Sequence, residues 1–113
     1  MISIRPNFPV GDLTHAVEFY RRTLGFEVRT HAPEFGLAIL ASGEVELALI
    51  AGTAGGPASA YLNVAEVEPV YEACDADDEV EFTAPLTTQP WGLRDFGMKD
   101  PWGNMLGIGQ RVG

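Results

Sequence analysis

The sequence predicts an α+β domain built from two modules, each running strand, helix and three further strands. Apolar residues recur with the 3.6-residue period of a helix over 13–24 and again over 67–74. Each of these stretches follows a strand-like alternation and precedes several short apolar runs. At 113 residues, 46% of them hydrophobic, the chain has room for one domain with a core.

A glycine-rich segment near residues 51–57 separates the two modules. Its sequence, Ala-Gly-Thr-Ala-Gly-Gly-Pro, is typical of a linker. We therefore expect a single domain over 1–113 with an internal repeat, one copy over 1–54 and the other over 57–113.

The first module begins with residues 2–10, where Ile2, Ile4, Phe8 and Val10 alternate with polar neighbours and predict a half-buried strand. Asp12 is suited to cap the helix that follows, and Gly25 to end it. Three strands are predicted after the helix: Phe26–Thr30, Leu37–Ala41 and Val45–Ile50.

The second module repeats this order. Ala60, Leu62 and Val64 alternate with polar residues in a predicted strand, and the helical period returns from Val67 to Cys74. The remaining strands are predicted at Val80–Thr83, Leu93–Met98 and Met105–Gln110.

One helix per module covers only one face of its sheet, so the other face is where a binding site is expected. On that face the alternation places unusually polar side chains, as in a cleft with a few fixed polar groups. They are Arg5, Asn7, Glu44, Glu46, Ser59, Tyr61 and Asn63.

The charge of the chain argues against two classes of partner. Seven Lys and Arg against 16 Asp and Glu give a net charge of -9, which opposes binding to nucleic acid or an anionic membrane. Eight acids lie between Glu66 and Glu81, either as a solvated surface or as a field that attracts a cationic ligand. The single Cys74 excludes an internal disulfide and is expected to pack in the core. With no signal-like or membrane-spanning run, a cytoplasmic location is expected.

Two motifs resemble the vicinal oxygen chelate superfamily, which includes glyoxalase I, extradiol dioxygenases and bleomycin resistance proteins. Residues 12–26 are similar to its "DL...FY...LGF" helix, and residues 92–104 to its "GxRxF...DPxGN" turn. Residues 6–9, Pro-Asn-Phe-Pro, resemble the opening of bleomycin resistance proteins. The resemblance implies a cup-shaped mixed sheet with helices on its outer face, the glyoxalase/bleomycin resistance fold.

Enzymes of this superfamily hold a divalent metal with one side chain from each of strands one, four, five and eight. The resemblance puts those positions at Arg5, Glu46 or Ala48, Ser59 and Gly107, where at most one carboxylate remains. We expect Arg5 to pair with Glu46 instead. His15 and His31 lie away from these positions, so neither metal nor cofactor is expected. Asp100 is expected to bond neighbouring backbone in its Asp-Pro turn.

The resemblance therefore favours a metal-independent small-molecule binding protein of the bleomycin-resistance type, a homodimer that sequesters a cationic or aromatic drug or metabolite and gives antibiotic resistance. Aromatic candidates for the cleft are Trp91, Trp102, Phe35, Tyr61 and Phe8, each of which could equally serve core packing. The alternatives are a metal-dependent lyase or dioxygenase of the same superfamily and an accessory subunit without a small ligand. The predicted ligand-binding residues are Arg5, Asn7, Glu46, Ser59, Tyr61, Asn63, Trp91, Arg94 and Trp102.

Overall fold

A computed structural model describes residues 1–52 and 56–113, which form two compact units, Met1–Ala58 and Ser59–Gly113. The middle of the predicted linker, residues 53–55, lies outside the described residues. Each unit contains one α-helix and a four-stranded mixed sheet, and the element order confirms the α+β class and the two strand-helix-three-strand modules.

The first unit contains β1 (Asn7–Val10), α1 (Leu13–Leu24), β2 (Glu27–Ala32), a 3-10 turn (Pro33–Phe35), β3 (Leu37–Ser42) and β4 (Val45–Ala51). Its strand order is β1-β4-β3-β2, with β1 parallel to β4 and the other pairs antiparallel. Helix α1 packs on β3 and β4. Tyr20 lies at the centre of the core, with its ring edge-on to Phe8 and Phe19 at 6.3 and 5.2 Å between centroids.

Both ends of α1 are as predicted. The Asp12 carboxylate accepts a hydrogen bond of 2.9 Å from the backbone N–H of His15, which satisfies one of the unpaired donors of the first turn. Gly25 takes the left-handed conformation, with φ of 72°, and its N–H donates to the carbonyl of Arg21.

The first strand is shorter than the sequence predicts. It begins at Asn7, and Ile2 and Ile4 are almost fully exposed. The parallel register pairs Asn7 with Ala48, so residue 4 would lie opposite Val45, the first residue of β4. Residues 1–3 therefore have no strand beside them in the described part of the sheet, and Pro6 has no N–H with which to extend the ladder before Asn7.

The second unit contains β5 (Ser59–Asn63), α2 (Val67–Asp75), β6 (Glu81–Thr88), β7 (Leu93–Lys99) and β8 (Met105–Arg111). Its strand order is β5-β8-β7-β6, with β5 parallel to β8 and the other pairs antiparallel. Helix α2 packs on β7 and β8, and the rings of Tyr71, Phe82 and Phe96 form a cluster with centroids 5.2–5.9 Å apart. The side-chain oxygen of Gln110 accepts from the backbone N–H of Val67 at 3.0 Å and so caps α2.

Strand β6 is longer than predicted and runs through Pro85. It is an edge strand, where the missing N–H of proline is tolerated, and its pairing with β7 shifts register twice between Phe82 and Thr87. Neither helix in residues 1–52 and 56–113 is long and apolar enough to span a bilayer.

Candidate functional site

The face of the second sheet that is turned away from α2, called here the open face, carries the most distinctive group of side chains. Along β5 the exposed residues are Ser59, Tyr61 and Asn63, while Ala60 and Leu62 alternate with them on the helix side. A depression of about 380 Å³ lies on this face. It is lined by Ser59, Ala60, Tyr61, Thr83, Gly97, Met105, Leu106 and Gly107.

Three glycines in the two central strands leave space on this face that side chains of the neighbouring strands occupy. They are Gly97 in β7 and Gly107 and Gly109 in β8, called here the glycine floor. A Cβ atom on Gly107 would lie 2.7 Å from Cδ2 of Tyr61, and one on Gly109 would collide with the Tyr61 hydroxyl. The absence of side chains at these positions therefore allows the Tyr61 ring to lie along β8.

The hydroxyl of Tyr61 is fixed by a short hydrogen-bonded chain. It donates to Oδ2 of Asp95 at 2.9 Å, and the amide Nε2 of Gln89 donates to Oδ1 of the same carboxylate at 3.1 Å. Burial raises the pKa of the Tyr61 hydroxyl, and the bond to Asp95 raises it further, against an opposing effect of Arg111. The phenol is therefore held as a neutral donor next to a carboxylate.

In the first unit, Glu46 on β4 lies between two arginines. Its Oε2 is 2.6 Å from Nη1 of Arg29 and its Oε1 is 3.3 Å from Nη1 of Arg5. The hydrogen bond from Arg29 is the main reason why the pKa of Glu46 lies below its usual value, partial desolvation opposes it, and Arg5 adds a smaller lowering. The predicted pairing of Arg5 with Glu46 is confirmed, whereas the sequence gave no sign of Arg29.

The structure places Arg94 on the other side of the second sheet from Tyr61. Its Nε donates to Oε1 of Glu68 on α2 at 2.6 Å, and its Nη1 donates to the Thr88 hydroxyl at 3.0 Å. The hydrogen bond from Arg94 lowers the pKa of the Glu68 carboxyl below its usual value. Arg94 is thus engaged with the helix and does not join the side chains of the open face.

Trp91 is 65% exposed and lies in the turn before β7. Gly92 follows it in the left-handed conformation, with φ of 87°. The backbone N–H of Gly92 donates to the carbonyl of Gln89, and its carbonyl accepts from the N–H of Val112. The first unit contains the same turn, with Phe35 80% exposed ahead of Gly36. The glycine in each turn therefore presents a large aromatic side chain to solvent.

The other predicted site residues lie apart from this group. Asn7 is exposed at the start of β1, opposite Ala48, and Asn63 is exposed at the end of β5, opposite Gly109. Trp102 is half-buried in the turn between β7 and β8, and its backbone N–H donates to Oδ1 of Asp100 at 2.9 Å. Of the nine residues, Ser59 and Tyr61 border the depression.

The positions that the resemblance assigns to a metal do not carry a ligand set. Within the second unit, Ser59 and Gly107 offer no carboxylate or imidazole, and Gly107 lies against the ring of Tyr61. Within the first unit, Glu46 is bonded to two guanidinium groups. In the described ranges no three His, Cys, Asp or Glu side chains are grouped to hold a metal ion. The residues present do not fit a divalent metal.

Sequence reasoning missed Asp95 as the partner of Tyr61, as well as Gln89, Thr83 and Met105. The sequence contained a signal for the face on which Asp95 lies, because Asp95 and Gly97 alternate with the apolar Phe96 and Met98 on a predicted strand. The pairing of β7 with β8 then sets Asp95 opposite Gly109. That register depends on the turn between the strands.

Comparison with known proteins agrees with this fold. The family model described as Glyoxalase/Bleomycin resistance protein/Dioxygenase superfamily matches residues 4–108. A bleomycin resistance protein of Geobacillus stearothermophilus is 27% identical over 136 residues, covering 99% of this chain and 98% of that protein.

Solved structures of the same fold include two proteins connected with bleomycin. A bleomycin resistance determinant encoded on the transposon Tn5 superposes with a TM-score of 0.79 at 25% identity, covering 98% of both chains. A bleomycin-binding protein in complex with bleomycin gives a TM-score of 0.76 at 24% identity, covering 98% of this chain and 99% of that chain. The family match spans nearly the whole sequence, and the chain belongs to the Glyoxalase/Bleomycin resistance protein/Dioxygenase superfamily.

Proposed function

We propose that this chain is a metal-independent protein that binds a small molecule and sequesters it unchanged, in the manner of a bleomycin resistance protein. The observation that carries the proposal is the depression of about 380 Å³ on the open face, bordered by the Tyr61 ring with its Asp95 partner. A concave surface with few, well-fixed polar groups is typical of a ligand site. The charge of -9 favours a cationic ligand over an anionic one.

The chemistry of the same residues supports binding over catalysis. Tyr61 is held neutral, and the Asp95 carboxylate is already engaged by two donors. The lining offers the hydroxyls of Ser59 and Thr83, but its described residues include no histidine, cysteine or lysine to activate them or to carry a proton. The likeness to bleomycin resistance proteins supports the same proposal.

The test is titration of the protein with metal-free bleomycin in the presence of EDTA, followed by calorimetry. We expect saturable binding with the chelator present. A ligand at 100 times its dissociation constant should also stabilise the fold by about 2.7 kcal/mol in a thermal unfolding assay. A stoichiometric divalent ion in protein purified without chelator would overturn the proposal in favour of a metalloenzyme.

A matched pair of variants ties that binding to the depression. Ser59→Trp fills the depression from its rim and should weaken bleomycin binding by about tenfold or more. Ser42→Trp adds the same ring at an exposed strand end of the first unit and should leave affinity unchanged. Near-ultraviolet circular dichroism checks that both variants are folded. Equal affinity of the two variants for bleomycin would mean that the binding site does not lie on the open face.

We further propose that the binding form is a homodimer in the cytoplasm. Ile2 and Ile4 expose nearly all of their apolar surface, as expected of a segment that another chain covers. The only cysteine, Cys74, cannot form an internal disulfide and needs no oxidising compartment. Light scattering should give twice the mass of one chain, and Ile2→Ser with Ile4→Ser should reduce it to one. A monomeric parent protein would exclude the dimer.

A further inference from the structure

Two side chains of opposite charge, Asp95 and Arg111, lie close together on the open face without forming an ion pair. Both alternate with the buried residues of β7 and β8 that face α2. Asp95 is paired with Gly109, so Arg111 is its diagonal neighbour, two residues further along β8. Diagonal neighbours across two strands lie roughly 7–8 Å apart. The Arg111 guanidinium forms no ion pair with any residue in 1–52 or 56–113.

The hydrogen bonds of Asp95 explain why the two charges stay apart. Its carboxylate accepts from the hydroxyl of Tyr61 and from the amide of Gln89, one donor on each oxygen. Both donors are uncharged, and together they fix the orientation of the carboxylate. A carboxylate has about four acceptor positions, so roughly half of them remain for a ligand. Arg111 opposes the rise in the pKa of the Tyr61 hydroxyl, so its charge acts at the same corner of the sheet.

The other charged side chains on the strands of the open face pair with each other. Lys99 lies opposite Glu81 at the far end of β7, with 3.7 Å between Nζ and Oε2. The two acids and two bases of this face therefore cancel, and neither a cation nor an anion is favoured by its net charge. What the face offers is a fixed carboxylate and a free guanidinium next to each other.

The surface next to this charged pair is apolar. The ring of Tyr61 lies along the backbone of Gly107, and the side chain is still 43% exposed. Met105, which also lines the depression, is 46% exposed. A small aliphatic group that covers these two side chains removes apolar area from water.

From these contacts we infer that Asp95 and Arg111 form a subsite for the zwitterionic head of a free α-amino acid whose apolar side chain lies along Tyr61. The ammonium group donates to Asp95, and the carboxylate accepts from Arg111. Two charge-assisted hydrogen bonds of about 2.8 Å, joined through one α-carbon, can bridge the gap between the two residues. The assignment rests on the proposed function and adds to it the chemical class of the ligand bound beside the depression.

L-Leucine is the probe, and two blocked forms of it are the comparison. At about pH 6 leucinamide keeps only the positive charge and N-acetyl-leucine only the negative one, as at the two ends of a peptide. In nitrogen–proton NMR titrations at low salt, L-leucine should bind at least about fivefold more tightly than either form. It should shift the amides of Asp95, Gly109 and Arg111. Equal affinity for leucinamide or for N-acetyl-leucine, or shifts confined to the first unit, would overturn the inference.

Variants assign each charge of the ligand to its partner. Arg111→Gln should weaken L-leucine binding about fivefold and leave the affinity for leucinamide unchanged. Asp95→Asn should weaken L-leucine binding to a similar extent and leave the affinity for N-acetyl-leucine unchanged. A folding defect would weaken all three ligands together, so this crossed pattern is specific to the subsite. Uniform weakening, or no change in either variant, would overturn the assignment.

Lys99→Gln is the matched control, because it removes one positive charge from the same face as Arg111→Gln does. Lys99 is already paired with Glu81 at the other end of the strand. Its variant should therefore leave the affinity for L-leucine unchanged. A loss equal to that of Arg111→Gln would mean that only the overall charge matters, and would contradict the subsite.

The result for bleomycin separates this inference from the proposed function. If metal-free bleomycin binds while L-leucine shows no preference over its two blocked forms, the proposed function stands and the subsite is wrong. If L-leucine shows the crossed pattern in the variants while bleomycin does not bind, the subsite stands and the bleomycin-type function is wrong.

Discussion

Asn104 bonds to Asp100 through both its backbone and its side chain. Its N–H donates to Oδ1 at 2.9 Å, its Nδ2 donates to Oδ2 at 2.8 Å, and its carbonyl accepts from the Asp100 N–H at 3.0 Å. Both residues are buried at the end of β7 and the start of β8. The expectation that Asp100 bonds neighbouring backbone in this turn is confirmed, and the turn fixes the register of the two strands that carry the glycine floor.

Asn104→Ala should lower the free energy of unfolding by about 2–3 kcal/mol, because it removes the side-chain hydrogen bond from Asn104 to a buried carboxylate. Urea denaturation measures the change. Asn63→Ala, at an exposed position on β5, is the control and should change stability by less than about 0.5 kcal/mol. Equal losses in the two variants would mean that the turn adds nothing beyond an ordinary surface contact.

Glu46 should titrate below its usual pKa, chiefly because of Arg29. Carbon NMR of the Glu46 carboxyl should show a larger rise in pKa for Arg29→Ala than for Arg5→Ala, since the Arg29 contact is shorter. A carboxyl whose pKa is lower in the folded state contributes stability above its unfolded pKa, and loses it as the pH falls through the folded pKa. A larger effect of Arg5→Ala would reverse the assignment.

The Tyr61 hydroxyl should ionise above its usual pKa of 10.0, because of burial first and the Asp95 bond second. Ultraviolet absorbance near 295 nm follows the ionisation, with Tyr61→Phe identifying its contribution. Asp95→Asn should bring the pKa down part of the way. Because the folded pKa is the higher one, the contribution of Tyr61 to stability is present below pH 10.0 and is lost as the pH rises towards the folded pKa.

Cys74 should not react with iodoacetamide in the native protein at pH 8. Burial, with a smaller contribution from Asp77, raises the pKa of its thiol to about 12, and its Sγ lies 3.6 Å from the sulfur of Met98. Alkylation followed by mass spectrometry should show labelling only after urea is added. Rapid modification of the folded chain would contradict the burial of this side chain.

The sequence predicted what depends on neighbours along the chain. Asp12 and Gly25 bound α1 as expected because capping and left-handed glycine are local effects. The pairing of Arg5 with Glu46 followed from the strand alternation. The predicted start of β1 was wrong because β4 reaches back only to the position opposite Ile4, and Pro6 cannot donate to the ladder before Asn7.

The candidate site was harder to predict because it depends on which strands are neighbours. Ser59 and Tyr61 were placed on the correct face by their alternation along β5. The bonds of Tyr61 to Asp95 and of Arg29 to Glu46 join different strands, and both require a register that apolar periodicity does not specify. Arg94 was predicted to bind the ligand, whereas the alternation of β7 turns it to α2.

Strands β7 and β8 divide two tasks between alternate residues. Phe96, Met98, Leu106 and Ile108 are buried on the helix side and hold the fold, while the glycine floor lies on the opposite side. A substitution at position 97 or 107 therefore changes the surface shape of the open face without opening a cavity in the core. Single mutations at these codons therefore act on the side chains of Thr83 and Tyr61, while the buried side of the same two strands keeps its residues.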